Sequence, residues 1–294
     1  MKVLKLTSVS LTGLLVLSSF TGCGLSDNYS NNNHNAVIHS PISFESVKKG
    51  DLFYFLGKKT NKVAEYPTLG YNYSLIVIDM EDSDEYEISE LQKRGIFVIC
   101  YVDAGTWEGW RSDAALFPPE SKGNGDVGWG DEFWLDINNP AVLPLIEKRI
   151  DVTAAKGCNG IEFDNIDGWS ADNNTSFNIT EQDQINFNAA IASYAHSKNL
   201  ITAFKTDLEQ IDTLEPYFDM AINESCHMWG ECQLYDNFLS KNKPVFDIEY
   251  VDGSDKADPA MIDSANLHAQ TDYFKSYLSN IALDGTYYVK LPLQ

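Results

Sequence analysis

Carboxylates stand at the ends of short apolar runs along this chain. The run 75–79 ends in Asp79, and 96–102 leads into Asp103. The run 160–164 carries Glu162 and Asp164, then Asn165 and Asp167. Asp207 follows 201–205, Glu224 follows 220–223, and Glu249, Tyr250 and Asp252 follow 245–248. Asp207, directly before Leu208-Glu209-Gln210, fits a helix N-cap. Six acidic exits together ask for a further reason. Like charges crowded into one cleft raise pKa values and cost stability unless cations compensate, and Lys205 and Arg111 lie in the same segments. Two carboxyl groups so placed suit glycosidic cleavage. One protonates the leaving oxygen while the other attacks the anomeric carbon or activates water.

Aromatic residues share these segments: Tyr101, Trp107, Trp110, Trp134, Trp169 and Tyr250. Sugar rings present C–H faces that stack on such side chains. Trp107 and Trp110 lie among Gly105, Glu108 and Gly109, a polar loop suited to ligand contact. Trp134, inside Phe133-Trp134-Leu135, suits core packing. Other chemistries lack their residues. His34, His39, His196, His227 and His268 include no pair at metal-ligand spacing near the acidic exits, so no metal and no cofactor is expected. A G-x-S-x-G elbow is absent, and so is a glycine-rich dinucleotide turn.

The segments that must position these residues alternate in type. Expected strands are 52–56, 75–79, 96–102, 160–164, 201–205, 220–223, 245–248 and 286–291. Several are apolar throughout, as in a parallel sheet covered on both faces. Expected helices are 141–156, 180–198 and 263–282. Lys156-Gly157 places a cation and a glycine at a helix C-terminus. Thr180 and Asp183 have capping-box spacing. Eight strands separated by helices give an α/β fold, a single (β/α)₈ TIM barrel, whose site lies where the strands emerge.

That barrel is assigned to residues 41–294. Residues 1–22 read as a signal peptide of lipoprotein type. Lys2 and Lys5 precede a short apolar stretch, and Thr21-Gly22 precede Cys23, the expected lipidation site. Residues 23–40 read as a flexible polar linker. The expected location is therefore the cell membrane or outer membrane, facing outside the cytoplasm, with a monomer as the expected state. The formal net charge is −22, from 43 acidic and 21 basic residues, and removal of the signal takes it to −24. Such a balance excludes nucleic acid as a partner and favours a cationic substrate. Cys226 and Cys232 flank a short glycine-containing segment and are the expected disulfide. Cys100 and Cys158 are left unassigned. If the glycines before their strands align, they differ in height by about four residues, or roughly 13 Å.

Several stretches together resemble glycoside hydrolase family 114, the endo-α-1,4-polygalactosaminidases. They are Cys100-Tyr-Val-Asp-Ala-Gly-Thr-Trp-Glu-Gly-Trp-Arg111, Trp134-Leu-Asp-Ile137 and Lys156-Gly-Cys-Asn-Gly-Ile-Glu-Phe-Asp-Asn-Ile-Asp-Gly168. Three more are Lys205-Thr-Asp-Leu-Glu-Gln210, Asn223-Glu-Ser-Cys226 and Val245-Phe-Asp-Ile-Glu-Tyr250. The start, Phe53-Tyr-Phe-Leu-Gly57, is more similar to a related group of bacterial extracellular barrel proteins. The resemblance implies a TIM barrel that cleaves internal linkages of an α-1,4-linked galactosamine polysaccharide, a cationic amino-sugar polymer. It maps the catalytic pair to Asp164 as nucleophile and Glu224 as general acid/base. Asp103, Trp107, Trp110, Arg111, Glu162, Asn165, Asp167, Lys205, Glu249 and Tyr250 would line the substrate. A carbohydrate-binding protein without turnover, or a hydrolase of another glycan, would use the same cleft.

Overall fold

The computed structural model describes residues 42–57, 66, 69–125, 130–251, 259–268 and 272–291. The expected signal, Cys23, the expected linker and Asp252 lie outside the described residues. The strands are β1 (Leu52–Phe55), β2 (Leu75–Asp79), β3 (Phe97–Asp103), β4 (Thr106–Glu108), β5 (Lys122–Gly125) and β6 (Glu132–Leu135). They continue with β7 (Gly160–Asp164), β8 (Ile201–Phe204), β9 (Met220–Glu224), β10 (Val245–Tyr250), β11 (Phe274–Ser279) and β12 (Tyr288–Lys290). The helices are α1 (Phe44–Val47), α2 (Glu85–Lys93), α3 (Val142–Ala155), α4 (Glu181–Ser197), α5 (Ile211–Leu214), α6 (Cys226–Trp229), α7 (Asp236–Ser240) and α8 (Pro259–His268).

The main sheet runs β1-β2-β3-β7-β8-β9-β10-β11-β12. The first eight are parallel and form the strands of a (β/α)₈ TIM barrel, while β12 pairs antiparallel with β11. β1 (LFYF) and most of β2 (LIVID) are buried, which is why these runs carry no polar alternation. Tyrosine hydroxyls serve the free edge of β1. Leu52 N donates to Tyr277 Oη at 2.9 Å and Tyr54 N to Tyr288 Oη at 3.2 Å. Leu56 N and Gly57 N then both donate to Leu283 O. Gly57 is required there, because a Cβ would stand 1.4 Å from Ala282 O.

The expected helix 263–282 is corrected. α8 ends at His268, and Phe274–Ser279 is the eighth parallel strand. The expected last strand shrinks to the antiparallel β12. Short apolar runs do not distinguish helix from strand by period, and the aromatic side chains of 273–277 fit a pleated surface better. The helix signals at 156–157 and 180–183 hold. Gly157 has φ +86°, and the Thr180–Asp183 capping box forms.

Both cysteine pairs are bridged, Cys226–Cys232 and Cys100–Cys158. The height argument against the second fails because Cys158 precedes β7, in the turn after α3. Cys100 registers with Ile161, and the turn brings Cys158 to a Cα separation of 6.1 Å. Among the described residues no helix is long and apolar enough to cross a membrane.

Candidate active site

Three neighbouring strands, β7, β8 and β9, lead to Asp164, Lys205 and Glu224 in turn. The residue after each has a left-handed backbone without being glycine: Asn165 (φ 56°), Thr206 (φ 71°) and Ser225 (φ 66°). Such backbone costs about 1–3 kcal/mol per residue and persists where its surroundings fix it. Here they do. Asn165 Nδ2 donates to Asp103 Oδ2 at 2.7 Å, Thr206 Oγ1 accepts from Ile166 N at 3.1 Å, and Ser225 N donates to Ile248 O at 2.9 Å. Three sharp kinks thus turn three strands away from one point and leave their last polar side chains there.

Lys205 Nζ lies 2.8 Å from Asp164 Oδ2 and 3.2 Å from Glu224 Oε2. Those two oxygens therefore stand no more than 6.0 Å apart, the sum of the two distances. Asp164 also accepts from Tyr101 Oη at 2.8 Å and from Asn165 N at 2.9 Å. Tyr250 Oη donates to Glu224 Oε1. Burial, then the nearby carboxylates, push the Tyr101 and Tyr250 phenols well above their usual range, so both stay donors. Burial alone would pull Lys205 down, but Asp164, Glu224 and Glu162 outweigh it and hold the ammonium above its ordinary value. The Asp164 side chain is 11% exposed and that of Glu224 32%, so Glu224 has the readier access to water.

The cleft above this trio has a volume of about 530 Å³. Among the expected residues, Trp110, Arg111, Asn165, Lys205 and Tyr250 line it with Asp164 and Glu224. Glu81, Asp82 and Glu132 line it too, although they end no expected strand. Arg111 is taken up by carboxylates, with Nη1 on both Asp79 oxygens and Nε and Nη2 on Glu108. It braces the loop that carries Trp110 rather than offering a free fork to a ligand.

Five expected lining residues stand elsewhere. Asp103 is buried and tied to Gly105 N, Thr106 N and Thr106 Oγ1, so it shapes the turn after β3. Trp107 sits in the small β4-β6-β5 sheet, its Nε1 donating to Ala114 O and Lys122 Nζ 3.7 Å from its ring centre. Asp167 accepts Asn173 Nδ2 at its carbonyl in the next loop. Glu162 is fully buried and accepts from Tyr54 Oη at 2.9 Å; Tyr54, a phenol inside an apolar strand, is a neighbour that sequence reasoning missed. Glu249 alternates with Tyr250 and points outward, where Oε1 accepts from His227 N and Met228 N. Asp207 stands at the N-cap position of the single 3₁₀ turn Leu208–Gln210, as expected, but its side chain makes no cap bond there. Its carboxylate accepts from Trp169 Nε1 and Asn188 Nδ2. Trp134 is core. Two groups of potential metal ligands share Cys226, whose sulfur is bonded to Cys232.

Burial pushes Glu162 up to about 8, against the pull of Lys205, and likewise pushes Asp207 up to about 8. The unfolded value is about 4.3 for Glu. The folded state therefore keeps a proton that the unfolded chain loses above that pH. Stability from Glu162 falls as pH rises from roughly 4.3 through 8, then levels. Glu162→Gln is expected to flatten the fall between pH 5 and 9 in urea melts, by a few kcal/mol at most, with Asp207 retaining its share. Equal pH slopes in variant and wild type would remove Glu162 from this account.

Among similar solved structures is Aspergillus fumigatus Ega3 in complex with galactosamine. Its TM-score is 0.74 at 27% identity, covering 83% of this chain and 96% of that one. The glycoside hydrolase domain of PelA from Pseudomonas aeruginosa gives 0.56 at 17% identity over 79% of this chain and 95% of that one, a likeness of fold. A comparison with curated protein sequences finds no match. The profile of glycoside-hydrolase family GH114 matches residues 43–291, from just before the first helix to just after the last strand. The chain therefore belongs to glycoside-hydrolase family GH114.

Proposed function

We propose that this chain is an endo-acting hydrolase of α-1,4-linked galactosamine polysaccharide, with Asp164 as nucleophile and Glu224 as general acid/base. The observation that carries it is the pair of carboxylates joined through Lys205 on the floor of an open cleft. Asp164 meets only donors, the setting in which a carboxylate attacks rather than protonates. Glu224, more exposed, gives a proton to the leaving oxygen and then takes one from the incoming water. Carboxyl groups about 5–5.5 Å apart serve retaining enzymes, and inverting ones stand about 6.5–9.5 Å apart. The 6.0 Å limit favours retention through a covalent glycosyl-enzyme.

The substrate class draws on two further supports. Ega3 was crystallised with galactosamine. The chain is strongly acidic, and Glu81, Asp82 and Glu132 line the cleft, so a protonated amino-sugar polymer meets a complementary field. The test is incubation of the purified chain with partly deacetylated α-1,4-galactosaminan, reading products by mass. Shortened oligomers, lost in Asp164→Asn, are expected. Binding without shortening would favour a carbohydrate-binding protein, and shortening of another glycan alone would sink the substrate assignment.

A further inference from the structure

We propose that Trp229 is a sugar-stacking platform, a distal subsite on the Glu224 side of the cleft. The inference rests on the polysaccharide reading above. Trp229 is 71% exposed, and its neighbour Met228 is 48% exposed. Trp is mostly buried in folded proteins, and leaving such a ring in water forgoes its burial energy. A floppy loop would explain that exposure, but this loop is firmly fastened. The Cys226–Cys232 bridge closes it. Cys226 N donates to Asp247 Oδ1, His227 N to Glu249 Oε1, and Glu231 N to Cys226 O. The His227 ring is buried between Ser264 and Ser276. Gly230, at φ 71°, ends the short helix. Cys226, His227 and Cys232 are thus held inside while Trp229 is held out. A ring presented on so stiff a support loses little freedom when a ligand covers it.

The occupant follows from position. Trp229 is five residues after Glu224 and leaves the barrel from the same strand, β9. Two extended steps and one helical turn keep their Cα atoms within about 12 Å. Trp229 does not line the catalytic cavity, whereas Trp110, 55% exposed, does. In strand order, the β7 and β8 exits lie between the Trp110 loop and the Trp229 loop. A polymer passing over Asp164 and Glu224 would meet one indole on each side. An anionic lipid surface is the other apolar-tolerant partner, and the net charge of −22 repels it.

The experiment compares wild type, Trp229→Ala and Trp229→Tyr on deacetylated α-1,4-galactosamine oligomers of increasing length. Wild-type kcat/KM climbs with length as the distal subsite fills. Trp229→Ala is expected to lose most of that climb, roughly five- to tenfold on the longest oligomers, and Trp229→Tyr to restore it. An unaltered length dependence in Trp229→Ala overturns the proposal. So does a defect confined to binding of phosphatidylglycerol vesicles. Migration of the same proteins through gels containing the polymer reads the platform without turnover. Retardation lost in Trp229→Ala supports it even where no oligomer is cleaved, an outcome that sinks the hydrolase reading alone. No retardation in wild type overturns the platform.

Discussion

Glu224→Ala is expected to turn over polysaccharide about 10³-fold more slowly and to be rescued by azide. General acid–base catalysis contributes roughly 10²–10⁴-fold, and the polymer's alkoxide leaving group needs its proton. With an activated aryl leaving group that need disappears, so on the proposed roles the first step, attack by Asp164, survives. The covalent intermediate then accumulates, because no base activates water. Azide needs no base and should release it as an α-azide, the product of two successive inversions at the anomeric carbon. Asp164→Gly is expected to lose on the order of 10⁴-fold or more on every substrate. Azide in the vacated space should give the β-azide instead, after one inversion. The two anomers are separated by NMR, and melting curves of both variants check that the barrel is intact. The opposite pairing of anomers and variants would exchange the roles of Asp164 and Glu224. Failure of azide with both would point to direct inversion, against the close approach imposed by Lys205.

The parts of this site that were legible in the sequence depend on one rule, that strand exits of a (β/α)₈ barrel share a face. The same rule says nothing about which face of a strand each residue takes. Glu162 and Asp164, two apart on β7, share a face by the strand period, and both lie inside the barrel. Glu249 and Tyr250, adjacent on β10, cannot both enter the cleft as the acidic exits suggest, because the pleat sends them to opposite faces. Tyr250 won the inner face, and Glu249 fastens the Trp229 loop from outside. Trp107 was misplaced for another reason. The loop between β3 and α3 folds into a small sheet of its own, so a polar-looking segment has a core. The left-handed residues Asn165, Thr206 and Ser225 left no glycine to mark them. Arg111 is visible as a cation, but its capture by Asp79, 32 residues away, is tertiary, beside the local partner Glu108. Trp229 follows the acidic exit at Glu224 by five residues, and its role shows only when exposure is set beside the bonds that hold the loop.

Lys205→Met should be among the most damaging single changes to the fold as well as to turnover. Lys205 is 4% exposed and is the cation shared by Asp164 and Glu224, with Glu162 close enough to help hold its proton. Removing one member of a buried ion pair costs roughly 3–5 kcal/mol, because the partners stay behind without compensation. Methionine fills much of the space, so the loss is electrostatic rather than a cavity. Lys205 also pulls Glu162 down against the burial that pushes it up to about 8. Without the lysine Glu162 holds its proton more firmly, and the destabilisation should be larger near pH 8 than near pH 5, where Glu162 is neutral in either protein. Turnover should stay low across the range, because the ammonium that holds Asp164 and Glu224 in place is gone. Adding Glu162→Gln removes one carboxyl group from the cluster and should return part of the lost stability near pH 8 without returning activity. Urea melts across pH 5–8 for wild type, Lys205→Met and the double variant read all three effects. If Lys205→Met melts like wild type at pH 8, the lysine does not hold this cluster together.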